Sequence, residues 1–324
     1  MMKGKAAEDP AKAPLVTVIV TTYNRVRLLT ETIGSILNQS FTDFELIVVD
    51  NMSGDATEGY VRGLDDPRIR FFKNSNNGII AVNRNFGIKR ARGKYIAFCD
   101  DDDLWFRDKL KTQVEFMETN PGVGLTFSNA ETFGEGASDG LSLYPKGESE
   151  GVKDFESLLK GNRIATFTVM VSKACLNHTG LFDENPELKS IEDYDLWLRI
   201  ARKYALACMP EMLGKYRVHA ARASGDKVSE KKKLLRLAAK FKSQGLADAR
   251  QARRMESHFN WMIGNSVLSG GDAAFRAYYR RALSLSFNAR TLLGFMLSLA
   301  PTGIAARILR SLENVRDERG RRRA

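Results

Sequence analysis

Cysteine and histidine are scarce in this chain, with three of each among 324 residues. Cys99, Cys175 and Cys208 are odd in number and follow no ligand spacing, which argues against a disulfide framework or a cysteine-based metal site. They read as small buried apolar residues of a reducing compartment. Long apolar runs are missing too. The greasiest stretch, TLLGFMLSLA at 291–300, is about half the roughly 20 residues that a spanning helix needs. The N-terminal segment MMKGKAAEDPAKAP lacks the apolar core of a secretory signal. No G-x-G-x-x-G follows the first strand-like run and no Walker sequence is present, which disfavours dinucleotide and P-loop chemistry. These absences lead to the expectation of a cytoplasmic protein.

Negative charge is the next shortage, and it is local. The formal net charge is +11, but from Lys227 onward there are 21 Lys and Arg against 7 Asp and Glu. The preceding 226 residues carry 29 against 32 and are close to neutral. A basic tail calls for an anionic partner, a membrane surface or a nucleic acid, or else forms a well-solvated helical face. Its basic residues are not interleaved with an aromatic stacking platform, so no nucleic acid is expected.

What is present is an alternation. After a disordered leader over 1–14, LVTVIVTTYN reads as a buried strand, and Leu28, Leu29, Ile33, Ile36 and Leu37 then recur at helical spacing. FELIVVDN and IRFFKN are further strands, with SGDATEGYVRGL and IIAVNRNFGIKRAR as helices between and after them. GKYIAFCDDDD ends the series. Strand–helix repetition predicts a parallel α/β sheet with right-handed crossovers, whose ligand lies beyond the carboxyl ends of the strands. Three strand ends carry polar clusters: Thr21 to Asn24, Asp50-Asn51 and Asp100 to Asp103. Farther on, VGLTFSNAETFG, IATFTVMV and ALACMPEMLGKYRVH read as strands, residues 134–150 as a Gly/Ser-rich acidic loop, and ELKSIEDYDLWLRIARKY as an amphipathic helix. Helices follow from about Val228, including a helical hairpin over FNWMIGNSVLSGGDAAFRAYYRRALSL.

Four adjacent carboxylates at Asp100 to Asp103 repel one another unless a cation offsets them. A hard divalent ion suits them, because Mg²⁺ commonly takes one or two carboxylates plus substrate phosphates. An acidic solvated turn is the plainer alternative. Glu192 and Asp193, at the entry of a helix, equally suit the positive end of its dipole.

VTVIVTTYNR, SILNQSFTDFELIVVDN, NNGIIAVNRNFGI, GKYIAFCDDDDLW, GLFDE, IEDYDLWLRIA and YRVH occur in this order across Val16 to His219. Together they resemble family 2 glycosyltransferases, the large inverting family with the GT-A fold that uses nucleotide sugars. The resemblance implies a mostly parallel central sheet flanked by helices over 15–225, with a basic, α-helical C-terminal extension over 226–324. It implies transfer of a sugar from a nucleoside-diphosphate donor to an acceptor hydroxyl, for cell-surface polysaccharide or lipopolysaccharide.

By the same resemblance, Thr21, Tyr23, Asp50 and Asn51 hold the base, Arg84 lies near the phosphates, and Asp100 and Asp101 belong to the nucleotide side. Asp102 is the metal contact for Mn²⁺ or Mg²⁺, and Asp193 is the catalytic base. His219 is a further metal ligand, a diphosphate contact or a loop histidine. Thr166, Thr168, Glu192 and Trp197 fall on the acceptor side, Trp197 being either acceptor wall or core. Asn51 stands where the family has a second acid. A neutral amide can still meet a base imide, so UDP is the favoured donor, with dTDP or GDP open. The expected acceptor is a saccharide or lipid-linked saccharide, reached with peripheral contact at the inner face of the cytoplasmic membrane. The alternatives are a non-catalytic nucleotide-sugar binding or scaffold protein of the same fold, or a nucleic-acid-binding protein acting through the basic tail.

Overall fold

The computed structural model describes residues 13–135, 140–144, 153–159, 161–218 and 227–322. Strands and helices alternate as the apolar periodicity predicts: β1 (Val16–Thr22), α1 (Val26–Leu37), β2 (Phe44–Asp50), α2 (Thr57–Arg62), β3 (Ile69–Lys73), α3 (Ile80–Arg90) and β4 (Tyr95–Asp100). Then come β5 (Leu104–Trp105), α4 (Lys109–Thr119), β6 (Val123–Ser128), β7 (Glu131–Phe133), α5 (Phe155–Leu158), β8 (Met170–Ser172), α6 (Lys173–Thr179), α7 (Glu192–Ala201), β9 (Ala205–Met209) and β10 (Gly214–Arg217). The C-terminal part is α8 (Lys227–Ser243), α9 (Ala249–Ser269), α10 (Phe275–Leu285), α11 (Ala289–Leu299) and α12 (Thr302–Arg322).

Seven strands form the main sheet in the order β3-β2-β1-β4-β8-β6-β9. All neighbouring pairs are parallel except those made by β8, which runs against both β4 and β6. Burial follows the two-residue period of a strand. Ile96 and Phe98 of β4 face one hydrophobic cluster, with α3, α6, α7 and α8, while Tyr95, Ala97 and Cys99 face the other, with α1 and α4. The chain order reverses between β1 and β4, and such a reversal opens a crevice at the carboxyl ends of parallel strands.

Three segments that read as single strands divide. VGLTFSNAETFG splits after Ser128, and ALACMPEMLGKYRVH splits across Pro210, which has no N–H to give a ladder. The second halves, β7 and β10, join β5 in a small separate sheet beneath the acidic turn. In IATFTVMV, residues Thr166–Thr168 form a tight turn before β8. There the carbonyls of Phe167 and Thr168 accept from Trp105 Nε1 and Gln113 Nε2 instead of from a neighbouring strand.

The tail is joined to the sheet domain. Leu234, Leu237 and Phe241 of α8 and Met255 and Phe259 of α9 share the cluster that contains Phe98 and Trp197. Lys240 reaches from α8 to two carboxylates, Asp195 at 2.5 Å and Asp183 at 2.7 Å. A second, smaller cluster, with Tyr279 at its centre, holds α9 to α12 together. Gly264 and Gly294 lie against the Tyr279 ring, where a Cβ would sit 2.6 and 3.0 Å from it.

Asp195 is fully buried and keeps Arg199 as a second partner when Lys240 is removed. Lys240→Met is therefore expected to lower the unfolding free energy by about 1–3 kcal/mol, measured as a shift in denaturant midpoint at constant slope.

Candidate active site

The loops after β1, β2 and β3 close a cavity of about 230 Å³ at the carboxyl edge, lined by Thr21, Tyr23, Asn51, Asn76, Asn83 and Asp101 among others. Its walls are set by backbone geometry. Asn24, Met52 and Asn77 adopt left-handed φ values of 51°, 61° and 49°, which asparagine tolerates better than most residues. Asp50 is fully buried and accepts from the Ser53 amide at 3.1 Å, so it builds the turn that presents Asn51. Asn51 Oδ1 accepts from the Asn76 amide at 2.9 Å. Tyr23 stays 54% exposed at the rim, a ring face available for stacking. Asn83 is fully buried; its Oδ1 accepts from Asn74, whereas its Nδ2 has no hydrogen-bond partner.

The four aspartates have four different environments. Asp100 pairs with Arg84 Nη2 at 2.9 Å. Asp101 accepts from Thr22 Oγ1 at 2.8 Å and faces Arg25 Nη1 at 3.2 Å. The same Nη1 lies 3.0 Å from Asp102, so one guanidinium bridges both acids. Asp103 accepts from the Arg217 amide of β10 at 2.9 Å, and its own carbonyl accepts from Thr32 of α1. Burial pushes the Asp101 carboxyl up to about 6, against the pull of Arg25.

Arg84 is the link between this turn and α7. Its Nη1 reaches Glu192 at 2.8 Å while Nη2 holds Asp100, and the guanidinium lies over the Phe182 ring. Burial pulls its pKa down, but Asp100, Glu192 and Asp193 more than offset this and hold the charge on. Ser190, at φ 75°, turns the chain into α7 so that Glu192 points inward. Asp193 is half-buried; its Oδ2 accepts from Asn162 Nδ2 at 3.2 Å and Thr166 Oγ1 at 3.1 Å, and its Oδ1 from the Tyr194 amide at 2.6 Å. Burial, then the neighbouring Glu192 charge, raises the Asp193 carboxyl to about 6. A carboxyl poised near working pH can exchange a proton with a bound hydroxyl.

Residues 17–177 match the model of "Glycosyl transferase family 2". The chain is 33% identical over 233 residues to WfaP of Escherichia coli, a "UDP-Glc:alpha-D-GlcNAc-diphosphoundecaprenol beta-1,3-glucosyltransferase", across 72% of this chain and 87% of that one. The chain belongs to glycosyl transferase family 2. It is also 36% identical over 204 residues to an uncharacterized glycosyltransferase of Rickettsia felis, across 63% of this chain but only 33% of that one. It thus spans about a third of the length of the Rickettsia relatives it matches. Its fold is similar to that of the mannosyltransferase PcManGT of Pyrobaculum calidifontis, solved with GDP-Man and Mn²⁺, at a TM-score of 0.62 and 20% identity, covering 98% of this chain and 90% of that one.

Within this family 2 chain, Thr21, Tyr23, Asn51 and Asp101 meet around one cavity, and Asp50 sits beneath it as support. Arg84, expected near the phosphates, lies at the acidic turn with its guanidinium shared between Asp100 and Glu192. Of the residues expected on the acceptor side, two take buried positions, which for Trp197 is the core alternative. Trp197 is fully buried against Phe98 and Phe182, and Thr168 is fully buried with its hydroxyl on the Ala165 carbonyl. Thr166 and Glu192 do lie beside Asp193. His219 lies outside the described residues.

Sequence reasoning missed Arg25, Asn83 and Asn162. Arg25 and Asn162 lie in loops that carry no periodic signal, and Asn83 is a buried polar position within α3 whose cavity exists only in the folded chain. Among the described residues no three metal-ligating side chains gather. The paired acids Asp100 and Asp102 still fit an ion that completes its shell with phosphate oxygens.

Two outcomes follow from this geometry. A carboxyl whose folded pKa is raised contributes stability below its unfolded value and loses it as pH climbs past the folded one. Asp193→Asn is therefore expected to melt above the wild type at pH values beyond about 6 and to lose that advantage below about pH 4 in thermal scans. Arg84→Met leaves two acids without their shared cation, and it is expected to cost about 3–5 kcal/mol in denaturant unfolding.

Proposed function

We propose that this chain transfers a sugar, with inversion, from a nucleoside-diphosphate sugar to the hydroxyl of a lipid-linked saccharide in cell-envelope polysaccharide synthesis. The observation that carries the reading is the shared carboxyl edge. There a half-buried, proton-exchanging Asp193 stands across Arg84 from the acidic turn that faces the nucleotide cavity. Asp193 takes the proton of the acceptor hydroxyl as the new bond forms at the anomeric carbon. The bond to the diphosphate breaks on the opposite face, and its electron pair leaves with the nucleoside diphosphate. Thr166 and Asn162 hold the Asp193 carboxylate by one oxygen and so aim it.

Asp102, with Asp100 beside it, would hold a divalent ion, Mn²⁺ or Mg²⁺. When bound, such an ion neutralises the charge that develops on the leaving diphosphate. Arg25, at the cavity mouth, is the side chain free to turn from Asp101 and Asp102 toward that diphosphate, because 36% of its side chain remains exposed. Tyr23 offers the base a stacking face, and the amides of Asn51 and Asn83 meet its polar edge without charge. UDP is the proposed donor nucleotide. The sequence likeness to a UDP-Glc enzyme supports it, and so does the undecaprenyl-linked acceptor in that relative's name for the acceptor class. Such an acceptor places the reaction at the cytoplasmic face of the membrane.

The test is a thermal-shift series of UDP, dTDP and GDP with Mn²⁺, followed by transfer assays with the matching sugars. UDP is expected to give the largest shift, and Asp193→Ala to lose transfer by about 100-fold or more while keeping that shift. Stabilisation by GDP alone would overturn the donor assignment. Undiminished transfer by both Asp102→Ala and Asp193→Ala would overturn the mechanism.

A further inference from the structure

Large apolar side chains left in solvent are concentrated in one place. Of the ten exposed among the described residues, seven fall between Phe287 and Leu312. Phe287, in the turn between α10 and α11, is 76% exposed, the highest of them. On α11 the exposed positions are Leu292, Met296 and Leu299, and on α12 they are Ile304, Ile308 and Leu312. Spacings of three and four place each set on one helical face. Leu297 of α11 and Ala305 and Leu309 of α12 occupy the opposite faces and pack into the Tyr279 cluster. Both stripes are therefore turned outward by the packing that holds the helices, and neither is covered by another of the described residues.

The charge around these stripes has one sign. From Ala273 to Leu312 the sequence has six arginines and no acidic residue. Phe287 also borders a groove of about 910 Å³ between α5, α9 and the α10–α11 turn, with Arg250, Arg253, Arg254 and Arg290 on its walls. Of these, Arg254 is paired with Glu156, and Arg290 lies over the Trp261 ring. Arg250 and Arg253 are exposed, so their charges face the groove and solvent.

We infer that the outer faces of α11 and α12, together with this groove, dock the protein on an anionic phospholipid bilayer. The apolar stripes enter the acyl boundary, and the arginines of the groove receive lipid phosphates. No helix among the described residues is long and apolar enough to cross a membrane, so these helices lie along the interface. A second copy of the chain would be a poorer occupant, because two faces dominated by arginine, whose one groove acid, Glu156, is already paired with Arg254, would have to meet. The inference deepens the proposed function by supplying the surface on which a lipid-linked acceptor is met, but its test does not depend on transfer.

The test is flotation of the full chain with vesicles of phosphatidylcholine alone or with added phosphatidylglycerol. Binding is expected to be about tenfold or more tighter to the anionic vesicles and to weaken as salt is raised. The triple variant Phe287→Ser, Met296→Ser, Leu299→Ser alters only exposed positions and is expected to lose about tenfold or more of that binding at unchanged melting temperature. Arg250→Glu with Arg253→Glu is expected to abolish the preference for anionic lipid. Donor hydrolysis in detergent-free buffer is expected to be unchanged in both variants, which separates failure of docking from failure of the transferase reading. Absent binding, equal binding to neutral vesicles, or a self-association by light scattering that the triple variant dissolves would overturn the inference.

Discussion

One guanidinium in a buried place carries the geometry of the site. Arg84 stands between the end of β4 and the start of α7, two elements more than 90 residues apart in sequence, and binds an acid from each. A lone buried arginine would be costly, and so would either acid without it. Each therefore makes the others tolerable, and the three are stable only as a set. The neighbouring NRN asparagine works the same way at lower charge. Asn85 clasps the backbone of Phe182 from both sides, which fixes the loop leading to α7. In the proposed chemistry the leaving-group side and the acceptor side are thus held in register by α3, which also lends Asn83 to the nucleotide cavity.

The acidic turn is a junction of a different kind. Its four carboxylates answer to three separate elements: Asp100 to α3 through Arg84, Asp101 and Asp102 to β1 and its following loop through Thr22 and Arg25, and Asp103 to β10 through Arg217. Arg217 also donates to the Asp102 carbonyl and pairs with Glu31 of α1. The charge density that reads in the sequence as one feature is dispersed in space into several ion pairs. Only part of it faces the cavity, and the rest assembles the small sheet beneath.

The alternation of strands and helices was legible because each element buries one face of a regular period, and that period survives in the order of residues. The convergence of Thr21, Asn51 and Asp101 on one edge was legible for the same reason, since parallel strands deliver their carboxyl ends together. The surroundings of Arg84, Trp197 and Thr168 were not. An arginine on a helix looks the same in sequence whether it faces solvent or two carboxylates. A tryptophan in the first turns of a helix that opens on two acids looks the same whether it lines a wall or fills a core. The break in IATFTVMV failed for a third reason: Trp105 and Gln113 draw carbonyls away from the ladder by side-chain bonds that no local pattern records.

Arg25 has one more consequence. Because its guanidinium lies across Asp101 and Asp102, the acidic turn already has an internal counter-ion. Many metal sites are empty of structure until the ion arrives, and their folding free energy is the binding free energy. Here a cation from the chain itself fills that role during folding. Loading of the proposed metal would then be an exchange of one positive charge for another on a turn whose charge is already offset.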